Sequence, residues 1–253
     1  MIYITGDVHG YFGRVRRFAK EFNTSSEDVL IILGDASINF FGDYTDIKLK
    51  KRLKNTPLTL FCIHGNHEAR PSTIDSYHKD EFYGGKVYVE DEYPNIKFAI
   101  DGEVYDFDGY STLVIGGAYS VDKEWRLEDG RMWFEDEQPD SKIKAKVENV
   151  LLKRKHEIDV ILSHTAPYNH RPVEAFLNVI DQESVDTSTE EWLQEIAEDN
   201  RFKRWYYGHF HINKRHDPYR CIFKDVEKFM SDEIVYSTED DLLKLQEQSG
   251  YTK

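Results

Sequence analysis

Seven side chains able to bind a divalent cation stand at recurring places along this chain: Asp7, His9, Asp35, Asn66, His164, His209 and His211. All are oxygen or imidazole donors, with no thiolate among them. That mixture suits Mn²⁺, Fe or Zn²⁺ in an open catalytic site better than a closed structural zinc. Asp7-x-His9 and His209-x-His211 are each expected to set two donors on one side of an extended segment, where alternate side chains point together.

The elements that must position these residues are visible as five short apolar runs, at 2–5, 29–33, 58–63, 159–163 and 205–207. Each is strand-length and apolar on consecutive positions, the pattern of strands covered on both faces. Each delivers a candidate ligand just past its carboxyl end, where open α/β sheets place their functional sites. In four of the five a glycine precedes the ligand (Gly6, Gly34, Gly65 and Gly208), a residue that permits close backbone approach in a crowded site. Helices are expected over 11–21, 45–54, 141–155 and 188–198, the last with Ser188 and Glu191 as a capping box. From 86 to 116 the pattern changes to short strands with turn signals, and Asp101-Gly102 reads as a hairpin turn inside a second sheet. Leu242, Leu243 and Leu245 suggest a C-terminal helix or arm within 231–253. Because the ligand candidates run from Asp7 to His211, dividing the chain would break the site. The expectation is one domain over 1–253, with a lid or loop region at about 117–140.

Composition narrows the function classes. The formal net charge is -14, and nothing resembles the basic face by which proteins grip long nucleic acid. Bound cations can reverse the sign of the local field, so small phosphorylated substrates remain compatible with an acidic chain. No apolar run approaches the roughly 20 residues of a membrane span, and Asp7 and His9 interrupt any signal-peptide core. Of the two cysteines, Cys62 sits within an apolar run and reads as a small buried hydrophobe, against a disulfide framework. Together these features imply a cytoplasmic protein with no membrane partner. The sequence is silent on oligomeric state.

Taken in order, Gly6-Asp7-Val8-His9-Gly10, Gly34-Asp35, Gly65-Asn66-His67-Glu68, His164 and Gly208-His209-Phe210-His211 resemble the calcineurin-like metallophosphoesterase superfamily. The resemblance implies an α/β fold, a four-layer sandwich of two mixed β-sheets flanked by α-helices. It also implies two divalent ions, with Mn favoured and Fe or Zn as alternatives. Asp7, His9, Asp35 and His211 would hold the first ion, and Asp35 would bridge to the second, which Asn66, His164 and His209 would complete. His67 would contact substrate oxygens and protonate the leaving group. The physics supports such a design. Two cations ~3.5–4 Å apart neutralise a phosphate ester's charge, orient it and acidify a bridging water. In-line attack by a metal-bridging hydroxide then needs only an acid for the leaving oxygen, and histidine suits that task near neutrality.

One departure is informative. Protein Ser/Thr phosphatases of the superfamily continue Gly-Asp with Asp-Arg-Gly, whose Arg grips phosphate and whose Asp partners the catalytic His. In this chain Ala36-Ser37-Ile38-Asn39-Phe40 follows, which weighs against a protein phosphatase and leaves the partner of His67 unassigned. Lys123 and Arg126, after Gly116-Gly117-Ala118, are candidates to grip phosphate instead, as is Arg171. His64 and Glu68 are read as residues behind the ligands. The expected function is hydrolysis of phosphomonoesters or small phosphodiesters such as nucleotides. The alternatives are a DNA or RNA nuclease built on the same centre and a non-catalytic scaffold.

Overall fold

The computed structural model describes residues 1–238 of the chain; the leucines proposed for a C-terminal arm lie outside the described residues. Strands β1 (Ile2–Thr5), β2 (Val29–Ile32) and β3 (Thr59–Cys62) are followed by β4 (His78–Phe82), β5 (Gly85–Val89) and β6 (Ile96–Ala99). Then come β7 (Val104–Phe107), β8 (Tyr110–Ile115), β9 (Val160–Ser163) and β10 (Arg204–Tyr207). The last four are β11 (Lys214–His216), β12 (Tyr219–Cys221), β13 (Val226–Lys228) and β14 (Ile234–Tyr236). They form two mixed sheets, of order β14-β13-β1-β2-β3-β6-β5-β4 and β11-β12-β10-β9-β8-β7. The site-bearing strands pair in parallel at each centre, β1 with β2 and β2 with β3 in one sheet, β8 with β9 and β9 with β10 in the other.

Alternation along these strands explains the layering. Ile2, Ile4, Ile31 and Phe61 from the larger sheet meet Val160, Leu162 and Tyr206 from the smaller one in a shared inner core. Their neighbours Tyr3, Leu30, Ile32, Leu60 and Cys62 face the opposite way, into a core with Val15 and Phe18 of α1 (Gly13–Glu21) and Leu49 and Leu53 of α2 (Tyr44–Leu53). Between β8 and β9 the chain forms α3 (Lys123–Glu128) and α4 (Ser141–Lys153), and α5 (Ser188–Asp199) precedes β10. Ile161, Trp205 and Tyr207 likewise pack on Val147 and Leu151 of α4 and on Trp192, Leu193 and Ile196 of α5. The chain is thus a four-layer sandwich of two mixed sheets between helices, and consecutive apolar residues were needed because both faces of each central strand are covered. Each fully buried aliphatic side chain contributes about 1.5–3 kcal/mol. Both cysteines are buried and free. No helix among the described residues is long and apolar enough to cross a membrane.

Two local expectations are corrected. Asp101-Gly102 is not a hairpin turn; it lies where the chain leaves β6 of the larger sheet for β7 of the smaller one. The hairpin is at Asp108-Gly109, where β7 and β8 pair up to Phe107 and Tyr110 and both loop residues have positive φ, 53° and 82°. The expected capping box of Ser188 and Glu191 does not form, since the N-cap makes no side-chain bond to a helix amide. Thr187 is the N-cap, its hydroxyl donating to Glu191, while the Ser188 amide donates to the Asp186 carboxylate. The region at 117–140 contains the short helix α3, which begins behind Asp122. Strand β14, within the segment proposed as an arm, extends the edge of the larger sheet.

Candidate metal centre

The seven donor candidates converge across the seam between the two sheets. The larger sheet delivers Asp7 and His9 after β1, Asp35 after β2 and Asn66 after β3; the smaller delivers His164 after β9 and His209 and His211 after β10. His211 Nε2 lies 3.3 Å from Asp7 Oδ2 and 2.8 Å from His9 Nε2. His9 Nε2 is 3.7 Å from both Asp7 Oδ2 and Asp35 Oδ2, and His164 Nε2 is 3.5 Å from Asp35 Oδ1. Donors bound about 2.1 Å from one ion stand roughly 3.0–4.2 Å from each other, so these spacings suit a shared cation. Among the described residues, three groups have donor atoms all within 4.8 Å: Asp7 with His9 and His211, Asp7 with Asp35 and His164, and His9 with Asp35 and His67.

The backbone that brings them together is bent, not extended. His9, Asp35, His209 and His211 adopt positive φ of 49°, 48°, 67° and 54°. The expectation of extended Asp-x-His and His-x-His segments is therefore wrong: each pair sits in a tight loop whose left-handed residues cost about 1–3 kcal/mol each. Cross-loop hydrogen bonds hold these conformations. The amides of Val8 and His9 both donate to the Asp35 carbonyl, at 3.1 and 2.7 Å, and the Gly10 amide donates to the Ala36 carbonyl. The amides of His209 and His67 donate to Oδ1 of Asp7 and of Asp35, at 2.9 and 2.8 Å. Buried Arg14 fastens the β1 loop from behind, donating to the carbonyls of Gly6 and Asp7. The glycines act by close approach. A Cβ on Gly65 would stand 2.1 Å from Asp35 Oδ1, and one on Gly208 2.4 Å from Asp7 Oδ1.

Hydrogen-bond logic fixes which lone pairs face the centre. His164 Nδ1–H donates to the Leu33 carbonyl at 2.7 Å, leaving Nε2 unprotonated. That lone pair faces Asn66 Oδ1 at 2.9 Å, and His209 Nδ1 is 3.1 Å from the same oxygen. Asn66 cannot relieve the conflict by turning its amide, because its Nδ2 donates to Ser120 Oγ (2.9 Å), which itself donates to Glu137 Oε2 (2.5 Å). Two acceptors held face to face want a cation between them. Asp7 Oδ2 is likewise buried without a hydrogen-bond partner. The donor set therefore fits divalent metal ions.

Charge in the cluster points the same way. Asp35 is pushed well above the usual carboxylate range by burial and by the adjacent Asp7. Burial also opposes ionisation of Asp7, but His211, His164 and His9 outweigh it and hold its carboxyl low. His164 and His209 are lowered by burial, and His9 to about 4, so their rings stay neutral. His211 goes the other way, raised by its bond to Asp7; the three neutral imidazoles and the crowded carboxylates form a ligand set that a cation would relax.

His67 has a partner after all. Arg126 Nη2, from α3, lies 3.1 Å from His67 Nδ1, while Nε of the same guanidinium is 2.7 Å from Asp122 and Nη1 donates to the Met132 carbonyl. A guanidinium only donates, so His67 Nδ1 accepts and the ring proton sits on Nε2, 3.9 Å from Asp35 Oδ2. A protonated Nε2 is a donor toward substrate and not a ligand, despite its place in the third cluster. Burial, then Arg126, lowers this ring to about 3, whereas a near-neutral value was expected of a free acid.

The remaining candidates divide. Lys123 does not line the cavity over the cluster; its Nζ lies 4.5 Å over the Trp133 ring. Arg171 does line it, with its guanidinium stacked 3.6 Å over Tyr168. Glu68 is fully buried behind the site, where its Oε1 accepts from the Gly65 amide, and burial raises it strongly. His64 is buried against Gly116, and its carbonyl accepts from the Gly117 amide. Ser120, Glu137 and Arg14 were not foreseen. Only the Gly116-Gly117-Ala118 segment pointed toward Ser120, and its role depends on contacts across 54 residues to Asn66.

Comparison with known proteins places this geometry. TT1561 of Thermus thermophilus is 12% identical, with a TM-score of 0.48 over 88% of this chain and 87% of that one. A candidate 5'-nucleotidase from Staphylococcus aureus, crystallised with alpha-ketoglutarate, is 13% identical with a TM-score of 0.43; the match covers 98% of this chain and 58% of that one. An archaeal phosphodiesterase is 10% identical with a TM-score of 0.30, over 88% and 81%. These likenesses are too distant to bear on function. No curated protein matches the chain. A family model for the calcineurin-like phosphoesterases, however, matches residues 1–213, which hold all seven donors, and the chain belongs to that metallophosphoesterase family.

Proposed function

We propose that the chain is a binuclear metal-dependent hydrolase of phosphomonoesters or small phosphodiesters. The observation that supports this reading is the close approach of Asp7 to His9 and His211, of Asp35 to Asp7 and His164, and of the Asn66 carbonyl oxygen to His164 and His209. Two divalent ions, Mn with Fe or Zn as alternatives, would there neutralise the phosphoryl charge and acidify the attacking water. Asp35, between the two groups, would serve both. Asn66 presents its carbonyl oxygen because Ser120 holds its amide nitrogen.

His67 donates from Nε2 to a substrate oxygen, its ring fixed by Arg126. An anionic oxygen beside Nε2 favours the protonated ring, but the added proton goes to Nδ1, so the Arg126 hydrogen bond must open before His67 can supply a proton to the leaving oxygen. The acidic chain, at a net charge of -14, favours small substrates over polymers. Two free buried cysteines accord with a cytoplasmic setting. The test is a Mn²⁺-reconstituted comparison of activated mono- and diesters, with His67→Ala and His67→Gln alongside. Turnover should fall sharply in both variants with two ions still bound; loss of metal would overturn the assignment of His67.

A further inference from the structure

The donor cluster forms one end of a cavity of about 600 Å³, and the rest of that cavity has a different chemistry. Beyond His9, Asn66 and His209, its lining includes the apolar side chains of Val121, Phe176, Leu177, Ile180, Phe210 and Ile212. Phe176 and Phe210 stack at 6.2 Å with 22° between their planes, and Phe210 also meets the His209 ring edge-on at 5.1 Å. These rings therefore run continuously from the cluster into the cavity. Leu177 is 58% exposed and Val121 37%, although both line an indentation where an apolar partner would cover them.

The polar complement is sparse. Among the described residues, Arg171 is the cation lining this cavity, and one face of its guanidinium already lies on Tyr168. Asp122 and Glu190 add carboxylates to the same walls. A second phosphate, or a sugar phosphate chain, would find one cation and two acidic neighbours. An uncharged ring would instead find flat aromatic and aliphatic surface, in a volume typical of small-molecule sites.

We infer that this cavity receives the leaving group of the substrate, and that it selects esters whose leaving group carries an uncharged aromatic ring over short alkyl esters and polyphosphates. The inference rests on the hydrolase reading proposed for the metal centre. Two alcohols of similar acidity separate recognition from intrinsic reactivity: ethyl and 2-phenylethyl phosphates, each as the monoester and as the methyl diester. With Mn²⁺-loaded protein, kcat/KM should favour the 2-phenylethyl ester by about 30-fold, the worth of burying a phenyl group.

The ratio, and neither rate alone, is the readout. Leu177→Asp, which sets a charge at an exposed position of the wall, should reduce it to within about threefold of unity. Val179→Asp, in the same segment but 89% exposed and outside the cavity, should leave it unchanged. Calorimetry with ethylphosphonate and 2-phenylethylphosphonate gives a readout that needs no turnover, and should show the same preference. Equal kcat/KM for both leaving groups would overturn the inference while leaving phosphoester hydrolysis standing. Hydrolysis of none of the four esters would overturn the hydrolase reading, and the phosphonates would then decide the cavity by themselves: equal binding sinks it, discrimination sustains it.

Discussion

The floor and the walls of the cavity over the donor cluster are built on opposite principles. The floor consists of loops at the ends of β1, β2, β3, β9 and β10, with Asp7, Asp35, Asn66 and His164 buried, His9, Asp35, His209 and His211 at positive φ, and carboxylates bonded to amides of neighbouring loops. Above it, the segments 119–134 and 168–185 are short helical turns whose side chains stack, Arg171 on Tyr168, Lys123 on Trp133 and Phe176 on Phe210 of the β10 loop, and of these Arg171, Phe176 and Phe210 line the cavity. Strain concentrated in the floor persists because packed strands on both sides over-determine it. The walls are tied instead by side-chain bonds, such as Arg126 to His67, Asn66 to Ser120 and the Tyr207 hydroxyl to the His170 carbonyl. Rigid elements fix the reacting groups, and adaptable ones are left to choose what is brought to them.

If that division is right, substitutions in the floor should cost orders of magnitude and those in the walls much less. Asp7→Ala removes a donor near both His9 and His211. It should lower bound metal below two ions per chain and reduce kcat/KM by at least about 10³-fold, since each ion is worth several kcal/mol of charge stabilisation. Elemental analysis beside kinetics checks both. Retained stoichiometry with full activity would break the comparison at its strongest point. Gly65→Ala should also be severe for an atom so small. Its Cβ meets Asp35 Oδ1 at 2.1 Å, so the β3 loop or Asp35 must move. Loss of metal together with a lowered thermal midpoint is expected, and an unchanged midpoint would show that the loops are looser than their hydrogen bonds indicate.

Ser120 joins the two regions, because it belongs to the chain entering the wall yet dictates which atom Asn66 shows the floor. Ser120→Ala lets the Asn66 amide rotate and present nitrogen to His164. Partners of this kind are worth about 10–100-fold in metal affinity. Metal titration of the variant should show one weakened site and one unchanged, and equal weakening of both would mean that Ser120 does not set the Asn66 amide.

The same division explains what could be read in advance. Floor residues were legible because each sits in a local pattern of strand, glycine and donor, and local patterns survive in a linear sequence. Even there the backbone was misjudged. Asp7-x-His9 looks extended until the hydrogen bonds from Val8 and His9 to the Asp35 carbonyl are known, and those cross to another strand. Asp101-Gly102 carries a hairpin dipeptide, yet which sheet its flanking strands join depends on packing far along the chain. Lys123 and Arg126 stand three residues apart and looked equivalent. Only tertiary contacts send one to an indole and the other to His67.

Arg126 tests the division between floor and walls most finely, because it is a wall residue that touches a floor residue. Deleting it should have the smallest effect of the series on turnover. Arg126→Ala removes one orienting hydrogen bond, worth about 1 kcal/mol or roughly fivefold in kcat. Metal content should be unaffected, as Arg126 lies on the Nδ1 side of His67, away from the ring nitrogen that approaches Asp35. Arg126→Lys should recover part of the loss, since an ammonium can also donate to Nδ1, but without the fork that keeps Asp122 and the Met132 carbonyl engaged. The decisive readout is tautomeric: nitrogen NMR of diamagnetic, Zn²⁺-loaded protein should find Nδ1 of His67 unprotonated in the parent and mixed in the alanine variant. A protonated Nδ1 in the parent would mean that Arg126 does not orient this ring. A loss far beyond tenfold in Arg126→Ala would mean that the guanidinium meets the substrate itself, and the walls would then have to be counted among the elements that perform the reaction.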